Sequence, residues 1–282
     1  MSLGREQLPW SNDVWSSIDS AVNGEVQRTC VAAKIIPMHT PAPSPDVPTV
    51  PADIIDSATM TVDESVVTPI VELGVEFRLT RQQIGNEADV GTAVSLATRA
   101  ANLLARAEDV ILFQGSSGLK DPLLGSVRQA GGSPGAGLLG SAALTVPVTP
   151  ISADAYGKNT FVAFANAYSQ LQAKGHYGPY AFVVRSEIYA DAYAPLPDTL
   201  VLPADSIKPM VSLGFYGTAT IPSLSGVLVS VGGTTMDLVS SFNPATEFLQ
   251  IDPDGEYRFK VFERFALRVK DKTAIVRFEF KK

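Results

Sequence analysis

The stretch from Asn86 to Gly115 constrains this chain more than any other. Apolar residues recur at Val90, Val94, Ala97, Ala101, Leu104 and Ile111, the spacing of a helix packed along one side. No proline interrupts it, and Ala93, Ala97, Ala100, Ala101, Ala105 and Ala107 carry the best helix propensity while letting other backbones come close. Gly115 supplies a stop, because glycine enters left-handed backbone without a steric penalty. The pattern predicts a long helix over 86–114, a spine. Ahead of it, Val67 to Thr80 reads as a strand, with Val71, Leu73, Val75, Phe77 and Leu79 on one face and Glu72, Glu76 and Arg78 on the other.

Strand, polar corner and long helix ending E-D-x-x-x-F-x-G make the first landmark, TPIVELGVEFRLT followed by AEDVILFQG. Pro9-Trp10-Ser11 leads to Trp15-Ser16-Ser17-Ile18-Asp19. Gly178-Pro179-Tyr180 opens an apolar strand, and Val261-Phe262-Glu263-Arg264-Phe265 to Ala274-Ile275-Val276 closes the chain. In this order and spacing, from residue 9 to about 280, the landmarks resemble those of the encapsulin shell proteins. The resemblance implies an α+β chain with the HK97-like capsid fold of tailed phages. Its parts would be an N-terminal helical arm (1–37), an extended loop (38–70), a spine-helix peripheral domain (71–145 and 241–282) and an axial α/β domain (146–240).

Composition sets outer bounds. Of 282 residues, 45% are hydrophobic and 18% charged, which fits a large core or extensive subunit interfaces. A net charge of −7 argues against nucleic acid or an anionic membrane surface, since both require clustered lysine and arginine. One cysteine, Cys30, excludes an intramolecular disulfide and reads as a buried thiol. The sequence opens without an apolar signal region and contains no apolar run long enough to span a bilayer, so a cytoplasmic protein is expected.

Along the chain, Ser11 or Asn12 caps a helix from about Asp13. Trp15, Ile18, Val22, Val26 and Cys30 form its apolar stripe. Pro37 to Pro51 is too proline-rich for helix or central strand and favours extended chain, as a linker or as the start of the extended loop. Residues 115–143 are Gly/Ser-rich and read as loops. In the second half, FVAFANAYSQLQAK is a helix, Tyr180 to Val184 a buried strand, and Ser186 starts a short helix. Residues 195–203 read as a loop, with a possible helix over 205–213. Gly226 to Val231 and Thr235 to Ser240 read as a strand pair. Asp252-Pro253-Asp254-Gly255 turns between Glu247–Ile251 and Tyr257–Val269, and the alternation through Ile275, Phe278 and Phe280 predicts a hairpin folding back on the spine.

Chemistry is sparse. Gly131-Gly132-Ser133-Pro134-Gly135 spells G-x-S-x-G without the strand before it or the helix after it, and Pro134 removes the amide an oxyanion hole needs. His39 and His176 stand apart from other ligands, so no metal site is expected. His176 is expected to interact with a helix C-terminus. The carboxylate pairs Asp63–Glu64 and Glu108–Asp109 are assigned to solvated polar faces. Some encapsulins bind flavin at a tryptophan after the F-x-L strand; Thr80 to Ile84 holds no aromatic residue here, so no cofactor is expected.

The resemblance therefore implies a non-enzymatic subunit that self-assembles into an icosahedral nanocompartment, 60 subunits by default, enclosing a cargo enzyme. The alternative is a phage or prophage major capsid protein of the same fold. Family members capture a C-terminal targeting peptide of the cargo on the inner surface, between the N-terminal helix and strands of the spine domain. The matching positions are Val26, Thr29, Cys30, Ala33, Phe248, Leu249 and Ile251. The family's G-R-K-x-x-D pattern is Ala32-Ala33-Lys34-Ile35-Ile36-Pro37 here, which implies a more apolar tail interaction. Asp198 and Asp205 would line a pore.

Overall fold

The Ser11 hydroxyl accepts a hydrogen bond from the Val14 amide and starts helix α1, Asn12–Thr29. All five residues of its apolar stripe are buried. A computed structural model describes residues 3–56, 59–152, 155–195 and 201–282. After α1 comes a single turn, α2, Ala32–Ile35. The proline-rich run is then laid out along a sheet edge: the Leu238 amide donates to Pro37 O (2.9 Å), the His39 amide to Leu238 O (2.8 Å), and the Arg264 guanidinium to Pro45 O. Backbone bonds at both ends make it an ordered strap. Four short strands follow, β1 Thr49–Pro51, β2 Ile54–Asp56, β3 Thr61–Asp63 and β4 Val67–Pro69. β1 pairs with β4 and β2 with β3, both antiparallel.

Strand β5, Val71–Leu79, carries the alternation read from the sequence. Thr80 and Gln83 then form a reciprocal capping box on α3, Arg81–Gly85. The spine differs from its sequence-based form at its start. Glu87–Val90 is a separate turn, α4; Gly91 adopts φ 67°, and the straight helix α5 runs Thr92–Gln114. Val90 consequently points to solvent, 67% exposed. The first turn of α5 is capped by the buried Glu87, whose carboxylate accepts from the Ala93 (2.6 Å) and Val94 (3.1 Å) amides. At the far end Gly115 sits at φ 59°, ψ −141°, and a Cβ there would lie 2.3 Å from the Ala136 carbonyl carbon. Glycine is required on both counts.

The segment expected to be all loop contains β6, Arg128–Gly131, and α6, Gly137–Ser141. Then come β7 Leu144–Val148, α7 Lys158–Ala173, β8 Tyr180–Arg185, α8 Ser186–Ala192, α9 Pro203–Ile207, β9 Phe215–Thr218, β10 Ser225–Ser230, β11 Met236–Ile251, β12 Tyr257–Val269 and β13 Ile275–Phe280.

Two sheets organise these elements. The first is antiparallel in the order β11-β12-β5-β6; the second runs β7-β13-β10-β8-β9, with β13–β7 and β8–β9 parallel. The spine packs on the first sheet, and α1 packs on the spine. A second core lies between the other sheet and α7, α8 and α9, around Phe164, Phe182 and Phe278.

Two sequence-based pairings are corrected. β10 and β11 do not form a hairpin: β10 lies between β13 and β8, while β11 crosses to the other sheet and pairs with β12. Nor does the end of the chain fold back on the spine, because β13 enters the five-stranded sheet. Burial explains this, since Ile275, Val276, Phe278 and Phe280 are all covered, as suits a strand enclosed on both faces. The segment grouped as 241–282 is thus shared between the sheets.

Candidate functional site

The face of α1 turned to the spine is fully committed. Val26 (7% exposed) and Cys30 (0%) pack into the core, and Glu25 is buried beside them. Asn102 on the spine donates to Glu25 Oε1 (2.7 Å), as does the Thr29 hydroxyl (3.0 Å). Burial raises the Glu25 pKa, but hydrogen bonds from Arg28, Asn102 and Thr29 outweigh it and hold the carboxyl below its ordinary value. Among the positions matched to tail binding, Val26 and Cys30 therefore present no free surface, and Thr29 is half-buried. Phe248 is buried in an aromatic group, 5.5 Å from Phe259, which stacks on Trp10 at 5.4 Å. Trp10 in turn lies 4.9 Å from Trp15. Ala33, Leu249 and Ile251 are exposed. Phe248 thus sits at the start of α1, whereas Thr29 lies about 21 Å further along it at 1.5 Å per residue. The structure places the seven positions at two ends of one helix.

Between those ends, α1 and the edge of β11 frame a concavity of about 380 Å³, lined by Leu3, Arg5, Asp19, Asn23 and Ser241 to Ala245. The Phe248 amide donates to Leu3 O (2.9 Å), tying the N-terminal arm to the strand. Arg5 closes one wall. Its guanidinium donates to both Asp19 oxygens (2.8 and 2.7 Å) and to Thr246 O (2.9 Å), and lies 4.6 Å over the Trp15 ring. Opposite, β11 slips register between Ser240 and Phe242 and again before Ala245. Such bulges leave backbone groups outside the ladder.

Beneath the α1–α2 junction lies a cluster that contradicts the solvated reading of Glu108–Asp109. Both are buried, together with Glu263 of β12. Asp109 accepts from the Val31 (3.0 Å) and Ala32 (2.8 Å) amides and from the Cys30 thiol (3.1 Å), so it fastens the junction to the spine. Glu108 Oε2 and Glu263 Oε1 have no hydrogen-bond partner. Burial, then the neighbouring Asp109, pushes the Glu108 carboxyl up to about 7. Burial and the charges of Glu108 and Asp109 push Glu263 well above the usual carboxylate range. Asp63, by contrast, is exposed, as is Glu64.

A second ion network holds the root of the extended loop. The buried Arg268 guanidinium binds Asp237 through Nε (2.7 Å) and Nη2 (2.7 Å), Asp53 (2.5 Å), Pro51 O (3.2 Å) and His39 Nδ1 (2.9 Å). Lys270 also reaches Asp237, at 2.9 Å.

His176 meets the C-terminal turn of α7 through its backbone amide, which donates to Leu171 O (2.9 Å), and not through its ring. Its Nε2 meets the Thr273 hydroxyl at 2.8 Å and Asp271 at 3.6 Å, beside a concavity of about 880 Å³. Threonine, histidine and aspartate invite comparison with a hydrolase triad, but the geometry differs. Asp271 accepts from the Thr273 hydroxyl (2.6 Å) and approaches the same ring nitrogen, whereas a triad carboxylate orients the opposite one. Ser133 pairs with the Ser116 hydroxyl at 2.7 Å on an exposed loop. Among the described residues no group of His, Cys, Asp and Glu is arranged to hold a metal ion, and no helix is long and apolar enough to cross a membrane. Asp205 is exposed on α9; Asp198 lies outside the described residues.

Known proteins share this arrangement. A family model described as "Encapsulating protein for peroxidase" matches residues 1–127 and 132–266. The "Type 1 encapsulin shell protein EncA" of Myxococcus xanthus is 27% identical over 293 aligned positions, covering 98% of this chain and 96% of that protein. The virus-like particle of Pyrococcus furiosus superposes with a TM-score of 0.69 at 18% identity, over 94% of this chain and 99% of the other. The capsid of the Myoviridae phage XM1 superposes with a TM-score of 0.56 at 14% identity, over 90% and 92%. The fold is the HK97-like capsid fold.

Proposed function

The chain belongs to the encapsulin family of encapsulating proteins, and from that premise we propose that it forms a closed icosahedral compartment of 60 copies, loaded in the cytoplasm through a C-terminal peptide of its cargo. It is a shell-forming subunit; its role is structural. The observation that carries this is the family match spanning both the spine-helix half and most of the axial half. A phage capsid shares the fold, but the family model and the full-length curated relative are both of the encapsulating kind.

The cargo peptide docks in the concavity between α1 and the β11 edge. Three features support this: a helix wall whose other face is fixed to the spine, bulged backbone at Ser241 to Ala245, and apolar surface continuing to Leu249 and Ile251. An extended peptide gains main-chain hydrogen bonds at such an edge, with side-chain pockets giving selectivity. Substituting Asn23→Arg fills the cavity with bulk and charge while the helix persists. Particles of the variant should assemble at normal size and co-purify without cargo when both proteins are co-expressed. Normal loading would place the peptide elsewhere, and loss of particles would mean that Asn23 serves the fold.

A further inference from the structure

The buried carboxylates at the α1–α2 junction are used neither by assembly nor by peptide docking as described above. Strand alternation puts Glu263 on the core side of β12, level with Phe259, Val261 and Phe265. Glu108 approaches from the spine. The cations of β12 lie on the opposite face and are taken: Arg258 by Glu76, Lys260 by Glu72 and Glu247, Arg264 by Glu72, and Arg268 by Asp237 and Asp53. From α1 and α2 come only the Cys30 thiol and the two amides held by Asp109, and from the 218–220 segment only the Thr220 hydroxyl (3.4 Å). Among the described residues, no ion pair reaches Glu108, Asp109 or Glu263.

We propose that Glu108 and Glu263 are folded in as neutral carboxylic acids, and that their ionisation in alkaline solution releases the α1–α2 junction from the spine. Burial raises the Asp109 carboxyl above its ordinary value, but the amide and thiol donors from which it accepts favour its charge, which neither glutamate enjoys to the same degree. Ionising either glutamate places a second charge in the same dry space with nothing to neutralise it. α5 and β12 are each held by their own backbone ladders. Among the described residues, side-chain hydrogen bonds hold the junction across the cluster at Asp109, with the Cys30 thiol shared with Glu108, and α2 is a single turn, so the junction yields first. The direction of the pH effect follows. A carboxyl whose folded value lies above its unfolded value contributes most below the unfolded value, near 4.5 for glutamate, and the contribution falls as pH rises toward about 7 for Glu108.

Cys30, the single cysteine, reports on the opening. The rate of methanethiosulfonate labelling is measured on intact particles between pH 6 and 9 and divided by the rate for free glutathione at each pH. This ratio should rise at least tenfold across the range in the native protein and stay flat in Glu108→Gln and Glu263→Gln. A flat ratio in the native protein, or an unchanged rise in both variants, overturns the proposal. Should the variants fail to assemble, infrared spectra of native particles decide. A protonated-carboxyl carbonyl band present at pH 6 and gone by pH 9 is required, and its absence at pH 6 refutes neutral burial.

Discussion

Val26→Asp separates a residue that serves the fold from one that serves cargo. Val26 lies on α1 facing the spine and is 7% exposed. Removing its side chain from the core forfeits about 1.5–3 kcal/mol of apolar burial. The new carboxyl then faces a wall that already contains the buried Glu25. Holding it neutral at pH 7, against an ordinary aspartate value of about 3.9, costs about 4 kcal/mol at 1.36 kcal/mol per unit. Together this is about 6 kcal/mol, comparable with the whole stability of many domains at about 5–15 kcal/mol. At about 2–4 °C per kcal/mol for a chain of this size, melting should fall by more than 12 °C. Gel filtration and scanning calorimetry of the purified protein are the assays. Val26→Ala, losing only about 1–2 kcal/mol, should still give particles. Recovery of Val26→Asp particles in normal yield with unchanged melting would show that the side chain does not pack against the spine.

Further consequences follow from the same contacts. Arg268→Ala leaves Asp237 with Lys270 (2.9 Å) and His39 (3.6 Å), leaves Asp53 only the longer Lys270 contact (3.8 Å) and frees Pro51 O; breaking a buried pair in this way costs about 3–5 kcal/mol, and limited proteolysis should cut within residues 50–66 far faster than in the native chain. Burial raises the Asp237 carboxyl, but hydrogen bonds from Arg268 and Lys270 hold it below its ordinary value of 3.8. Its contribution is therefore complete above that value and lost as pH falls through the lower folded one, so the same cleavage should appear in native particles below about pH 4. Ser133→Ala should leave assembly, melting and any hydrolytic background unchanged, because among the described residues its hydroxyl meets only that of Ser116; a background lost specifically in this variant would reveal chemistry at that loop.

Periodicity made the helices legible and left their neighbours obscure. The stripe on α1 was readable to the residue, yet periodicity says that a face is buried, not against what. The family resemblance matches Val26 and Cys30 to cargo binding, whereas the spine covers both. The burial of Glu108 has a signal in the sequence. Leu104 to Glu108 is one step of four along the stripe already traced, and Glu263 has the parity of Val261 and Phe265. Two carboxylates on apolar positions were visible, but solvent exposure is the commoner fate of glutamate. The pairing of β13 with β10 and β7 was not legible, since it joins segments about 50 and 130 residues apart that no local pattern links. The Arg268 network was hidden likewise, because its partners lie in a strap and a strand more than 200 positions apart for Asp53 and His39.

Closed-shell assembly is tested most directly by the mass of the purified native particle. Sixty copies of a 29.9 kDa chain give about 1.8 MDa, and native mass spectrometry with electron microscopy should find hollow, uniform particles at that mass or at a larger icosahedral multiple. A species of one to a few subunits at neutral pH, with no closed particles in the images, would contradict it.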